Sequence, residues 1–131
     1  MAGTFSHDAE QDGLALLFGL AGSTATTTVE IKLSTTTVSP DGTGLTEPGG
    51  AWYGPQDVLM GNATGNAPRT ISNTAEIDYG NSDEDVSLVG WVMYDKATGR
   101  TRGVYNFPAP ISVQTGNPVK FAVGALVVTL T

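Results

Sequence analysis

Val86-Ser87-Leu88-Val89-Gly90-Trp91-Val92-Met93-Tyr94 is the stretch on which the fold turns. It is rich in β-branched and aromatic residues and long enough for a central strand. Asp95-Lys96-Ala97-Thr98-Gly99 follows with the Asp and Gly that a tight turn needs, and Arg102 to Phe107 returns as the partner. Pro108 and Pro110 are expected to end that strand, because proline has no N–H for the ladder. Downstream the reading gives a short strand at Ile111 to Gln114, a turn at Thr115-Gly116-Asn117-Pro118, and a strand at Val119 to Val123. Gly124 separates these from a last strand, Ala125 to Leu130.

Working upstream, Thr70 to Tyr79 alternates, with Ile71, Ala75, Ile77 and Tyr79 as the expected inward positions. Gly61 to Pro68 and Val38 to Gly50 read as loops, and Trp52 to Met60 as a short strand interrupted at Gly54-Pro55. Val29, Ile31 and Leu33 alternate with Glu30 and Lys32, the pattern of a half-buried strand. Before Gly22 the period changes. Leu14, Leu17 and Ala21 recur at helical spacing behind a capping Ser6 and the acidic Asp8 and Glu10. Together these elements predict an all-β, antiparallel β-sandwich or jelly-roll-like domain with one short N-terminal helix. The expected layout is a single domain over 1–131, with residues 1–22 as arm and helix and 23–131 as sandwich.

The chain has 131 residues, so about two thirds of its surface would be buried on folding, enough for one core. With no cysteine it forms neither a disulfide nor a thiolate metal site. Thirteen acidic residues against six Lys and Arg give a net charge of -7, the opposite of what phosphate binding favours. No apolar run is long enough to span a bilayer as a helix. The Leu14 to Gly22 segment lacks the basic start of a secretory signal and is read as a helix.

Few residues carry reactive chemistry. His7 is the only histidine, beside Asp8, and reads as a solvated helix-start residue rather than a general base. Asp83-Glu84-Asp85, with Asp78 and Asn81, could offer oxygen ligands to calcium, but its spacing is not that of an EF-hand loop, and a solvated acidic turn is the simpler reading. Glu30, Glu47 and Glu76 cannot be placed as a glycosidase pair from sequence. Asn62-Ala63-Thr64 fits a glycosylation sequon, and no Walker-type loop is present. Trp52 and Tyr53 lie between Gly49-Gly50 and Gly54-Pro55, where they either stack on a sugar or anchor a protein interface, or Trp52 simply plugs one end of the sandwich. Trp91 reads as core. No catalytic residue, metal ligand or cofactor is expected.

The order of these features resembles small actinobacteriophage virion proteins labelled tail fibre or minor structural protein. The matching stretches are Leu14-Ala15-Leu16-Leu17, Ala51-Trp52-Tyr53, Val89-Gly90-Trp91-Val92 and Gly116-Asn117-Pro118-Val119-Lys120-Phe121-Ala122-Val123-Gly124. The acidic Asn81 to Asp85 insertion and the Thr-rich early strands depart from that pattern. The resemblance implies a non-enzymatic virion structural protein, with a capsid decoration (cement) protein on the outer surface of the phage head as the expected role. Its partners would be the major capsid protein and copies of itself, as a trimer. Leu14, Leu17, Trp52 and Tyr53 are the expected partner-binding residues. The alternatives are a tail-associated or tail-fibre component that binds a host glycan, and a free lectin or carbohydrate-active enzyme. A secreted adhesin module is a further rival, opposed by the missing basic signal region.

Overall fold

The computed structural model describes residues 2–6, 29–61 and 69–130. Among them are nine strands: β1 (Ala2–Phe5), β2 (Val29–Ser34), β3 (Gln56–Asp57), β4 (Arg69–Ser72), β5 (Ile77–Asn81), β6 (Val86–Asp95), β7 (Arg100–Val113), β8 (Pro118–Phe121) and β9 (Val127–Leu130). Seven form one sheet in the order β3-β2-β6-β7-β1-β9-β4, and β5 pairs with β8 in a two-stranded ribbon. The expected all-β sandwich class is therefore correct. Pairing is antiparallel except between β1 and β9, which run parallel. The expected helix over Leu14 to Gly22 lies outside the described residues.

The β6–β7 hairpin forms where the sequence places it, but β7 does not stop at its prolines. Leu88 stands opposite Ile111 and Gly90 opposite Asn106, so Val89 alone faces the bulged residues Phe107, Pro108, Ala109 and Pro110. Inside the bulge no ladder donor is required, so the prolines are accommodated and pairing resumes at Ile111. Gly90 is needed beside this bulge, because a Cβ there would collide with the Tyr105 carbonyl oxygen.

Three other expectations change. Ala2–Phe5 is a strand inserted between β7 and β9, where an arm leading into a helix was expected. Ser6 belongs to that strand end: its amide donates to the Arg102 carbonyl at 3.0 Å and its hydroxyl to the Thr101 carbonyl. The single alternating run from Thr70 to Tyr79 is two strands in different sheets. The break is made by Asn73, whose buried side-chain amide donates to the Ala75 and Ala122 carbonyls at 2.9 Å and accepts from the Leu126 amide at 3.0 Å. These bonds satisfy the group where it would otherwise be costly to bury. Ala75 is consequently exposed, while Ile77 and Tyr79 point inward as expected. Trp52 itself lies in a turn, and the strand expected around it is reduced to Gln56–Asp57.

The main core lies between the large sheet and the β5–β8 ribbon. Ile31, Leu33, Trp91 and Leu126 are fully buried there, together with Ile77, Tyr79 and Phe121. Each such side chain stabilises the fold by about 1.5–3 kcal/mol. A smaller cluster of Val38, Val92 and Val104 involves the alternate residues of β6 and β7, as strand geometry requires. Asn106 ties the Val38 segment to this sheet, accepting from the Val38 amide at 3.0 Å and donating to its carbonyl at 2.9 Å.

The hairpin end holds a buried ion pair, Arg102 Nη2 to Asp95 Oδ2 at 3.4 Å. Burial pushes the Asp95 carboxyl up, but the Thr98 side chain, the Ala97 amide and the Arg102 guanidinium outweigh it and hold the carboxyl below its ordinary value. Its folded-state pKa is thus below the unfolded one. The resulting stability is present above the unfolded value of about 3.9 and is lost as pH falls through the depressed folded value.

Arg102→Met should lower unfolding free energy by about 3–5 kcal/mol in urea titrations, because it strands a buried carboxylate. Gly90→Ala should cost about 1–3 kcal/mol in the same assay by forcing β6 and β7 apart.

Candidate functional site

The turn from Gly49 to Gly54 carries the aromatic pair singled out in the sequence. It is fastened to the acidic turn after β5 by one carboxylate oxygen. Glu84 Oε1 accepts from the Gly50 amide and from the Trp52 indole N–H, both at 3.0 Å. A Cβ at Gly50 would sit 2.6 Å from Asp83 Oδ1 and from Trp52 Cδ1, so a larger residue there would push those side chains aside. Such charge-assisted bonds to a carboxylate are about twice as strong as neutral ones.

From this corner a chain of rings runs inward. Trp52 meets Tyr53 edge-on at 5.7 Å, and Tyr53 stacks on Tyr79 at 5.9 Å. Tyr79 meets Phe121 edge-on at 6.4 Å. Offset and edge-on geometries of this kind are the favourable ones for aromatic pairs. The polar tips are satisfied as well. The Tyr53 hydroxyl donates to Glu47 Oε1 at 2.6 Å and accepts from the Leu33 amide at 3.0 Å. The Tyr79 hydroxyl donates to the Ile31 carbonyl at 2.9 Å. Burial pushes both phenols far above their ordinary value, and the Glu47 carboxylate beside Tyr53 pushes the same way. They therefore remain protonated donors at any working pH.

Trp52 and Tyr53 are thus brought together, half-buried and rigidly held, with the indole at the surface end of the chain of rings. The arrangement suits a fixed contact surface. Leu14, Leu17 and His7 lie outside the described residues, as does the Asn62-Ala63-Thr64 sequon. The acidic turn serves structure: Asp85 Oδ1 accepts from the Thr115 amide at 2.8 Å and from its hydroxyl at 3.1 Å. Those bonds hold the exposed Asp85 carboxyl below its ordinary value. Among the described residues no three acidic or histidine side chains converge on a metal position.

Sequence reasoning missed a second feature. Between β7 and β8 runs an apolar groove of about 250 Å³, lined by Leu88, Phe107, Ile111, Val119, Phe121 and Ala125 among others. The signal is present in Phe107-Pro108-Ala109-Pro110-Ile111, but by pattern alone it marks a strand end, not a bulge that leaves Ile111 at 44% exposure.

A family model described as Gp80, podophage GP4 fiber I protein gp80, matches residues 4–129. No curated protein matches the chain. A match of that extent spans almost all of the sequence, and the chain belongs to this family of phage fibre structural proteins.

Glu84→Ala should free the Trp52 corner. The expected outcome is a red shift in tryptophan emission and a loss of about 1.5–3 kcal/mol in urea unfolding, the range for hydrogen bonds to a charged group.

Proposed function

We propose that this member of the podophage fibre family is a non-enzymatic structural subunit of the virion tail, working by adhesion to neighbouring fibre or tail proteins. The observation that carries the reading is the family match over residues 4–129, whose description names a fibre protein. That description favours the tail-fibre alternative over capsid decoration. It names a podophage fibre protein and is not specific to actinobacteriophages.

The construction of the site supports a binding role. Three carboxylates around it hold the fold: Glu47 on Tyr53, Glu84 on Gly50 and Trp52, and Asp85 on Thr115. A general acid or base needs a group left available to a substrate proton. The aromatic corner offers a different asset, a large contact area with little conformational freedom left to lose. Trp and Tyr in that state are the residue types enriched where binding energy concentrates.

Quantitative mass spectrometry of purified particles provides the test. A few to a few dozen copies per particle, removed with the tail when heads and tails are separated, is the expected result. Hundreds of copies on isolated heads would overturn the tail assignment in favour of decoration. Turnover of any glycan by the purified chain would overturn the non-enzymatic reading.

A further inference from the structure

We propose that the uncharged face formed by the β7 bulge and the β7–β8 turn is a self-association surface, where a second copy of this chain docks. This rests on the reading of the protein as an adhesive structural subunit, and it names both the surface and the occupant.

Charge is distributed unevenly along the chain. All thirteen acidic residues precede Lys96, and from Gly103 to Thr131 Lys120 is the sole charged residue. The fold gathers much of this neutral stretch onto one surface. Every residue from Pro108 to Pro118 except Val113 is exposed, and none is charged. The face is bordered by Asp85, bound to Thr115, and by Lys120, which lies 3.8 Å from Glu76. Beside it opens the apolar groove, with Ile111 at its rim and Val123, 64% exposed, in the turn that follows β8.

The chemistry of the face selects its occupant. A nucleic acid would require cations in place of counterions, and Lys120 alone supplies one. A sugar would require convergent polar groups, whereas the groove is lined mainly by Leu, Ile, Val and Phe side chains. An apolar protein surface remains. Two copies each carrying a charge of -7 repel through acidic surfaces, and like charges set against one another are penalised at interfaces. This face, with carboxylates only along its border, is where two such copies can approach. Each offers a groove together with the exposed apolar rim that fills one, so the contact can be self-complementary about a two-fold axis.

The backbone favours the same surface. Pro108 and Pro110 hold the bulge in a restricted conformation, which lowers the ordering cost of docking. Neither residue offers an N–H to be left unpaired when water is excluded.

Sedimentation velocity and light scattering on the purified full chain test the proposal, with salt as a variable. Wild type should show a mass at least twice the 13.5 kDa of one chain, and a larger associated fraction at higher salt. Raising salt from about 0.01 M to about 1 M shrinks the screening length from about 30 Å to about 3 Å and removes repulsion between copies. Ile111→Glu should shift the protein to monomer at least tenfold in dissociation constant, while Ala97→Glu, the same charge at the far end of the hairpin, should leave the mass unchanged. Pro110→Asp is a second, exposed probe of the face and carries the test if circular dichroism shows Ile111→Glu to be unfolded. A monomeric wild type at every salt concentration overturns the proposal. So does full association in the folded Ile111→Glu or Pro110→Asp protein, or association that weakens with salt as an ion-paired interface would. The solution mass is independent of particle copy number, so failure here and failure of the tail assignment are distinguishable.

Discussion

The pairing of β6 with β7 is the constraint from which the other elements take their positions. It runs from Asp95 opposite Arg100 to Val86 opposite Val113, and it survives a bulge because the two backbones close together at Gly90. On one side it carries β2, and through β1 on the other it carries β9 and β4. Alternation along the strand then decides which residues face the ribbon. Trp91 and Met93 join the main core, and Val92 joins the smaller cluster on the opposite side. Its turn end is fixed by Asp95 and Arg102, a buried pair whose value lies in not being broken.

Two rigid devices are mounted on this frame. One is the aromatic chain from Trp52 to Phe121, which converts core packing into the orientation of a surface indole. The other is the proline bulge, which lifts Pro108 to Pro110 out of the ladder and leaves Ile111 half-exposed over an apolar groove. In both, residues that look local in the sequence are positioned by partners far along the chain, Glu84 for Trp52 and Val89 for the bulge. Both are suited to lasting contact, which agrees with membership of a fibre family.

The acidic residues have a double role in this picture. Several are internal fasteners, holding turns and the hairpin end through charge-assisted hydrogen bonds. Collectively they also give the surface a sign, leaving the carboxylate-free C-terminal stretch as the part that tolerates close approach by a like-charged neighbour.

Sequence alone determined what depends on neighbours along the chain. The alternation of Val29, Ile31 and Leu33, the β-branched run at Val86 to Tyr94, the Asp95 to Gly99 turn and the inward Trp91 are local patterns set by strand period and turn chemistry. The fold class followed from their number and spacing. Tertiary structure decided the partners. Ala2–Phe5 carries too few residues to declare a strand, and it becomes one only because β7 and β9 each present an edge to it. Pro108 and Pro110 read as strand ends until the unpaired stretch opposite Val89 removes the need for their missing donors. Tyr53 reads as part of a short Trp52 to Met60 strand, and its role comes instead from Tyr79, Glu47 and the Leu33 amide, which converge on it. A backbone donor accepts any well-placed partner, so pattern fixes the pleat, while long-range packing chooses which strands and rings meet.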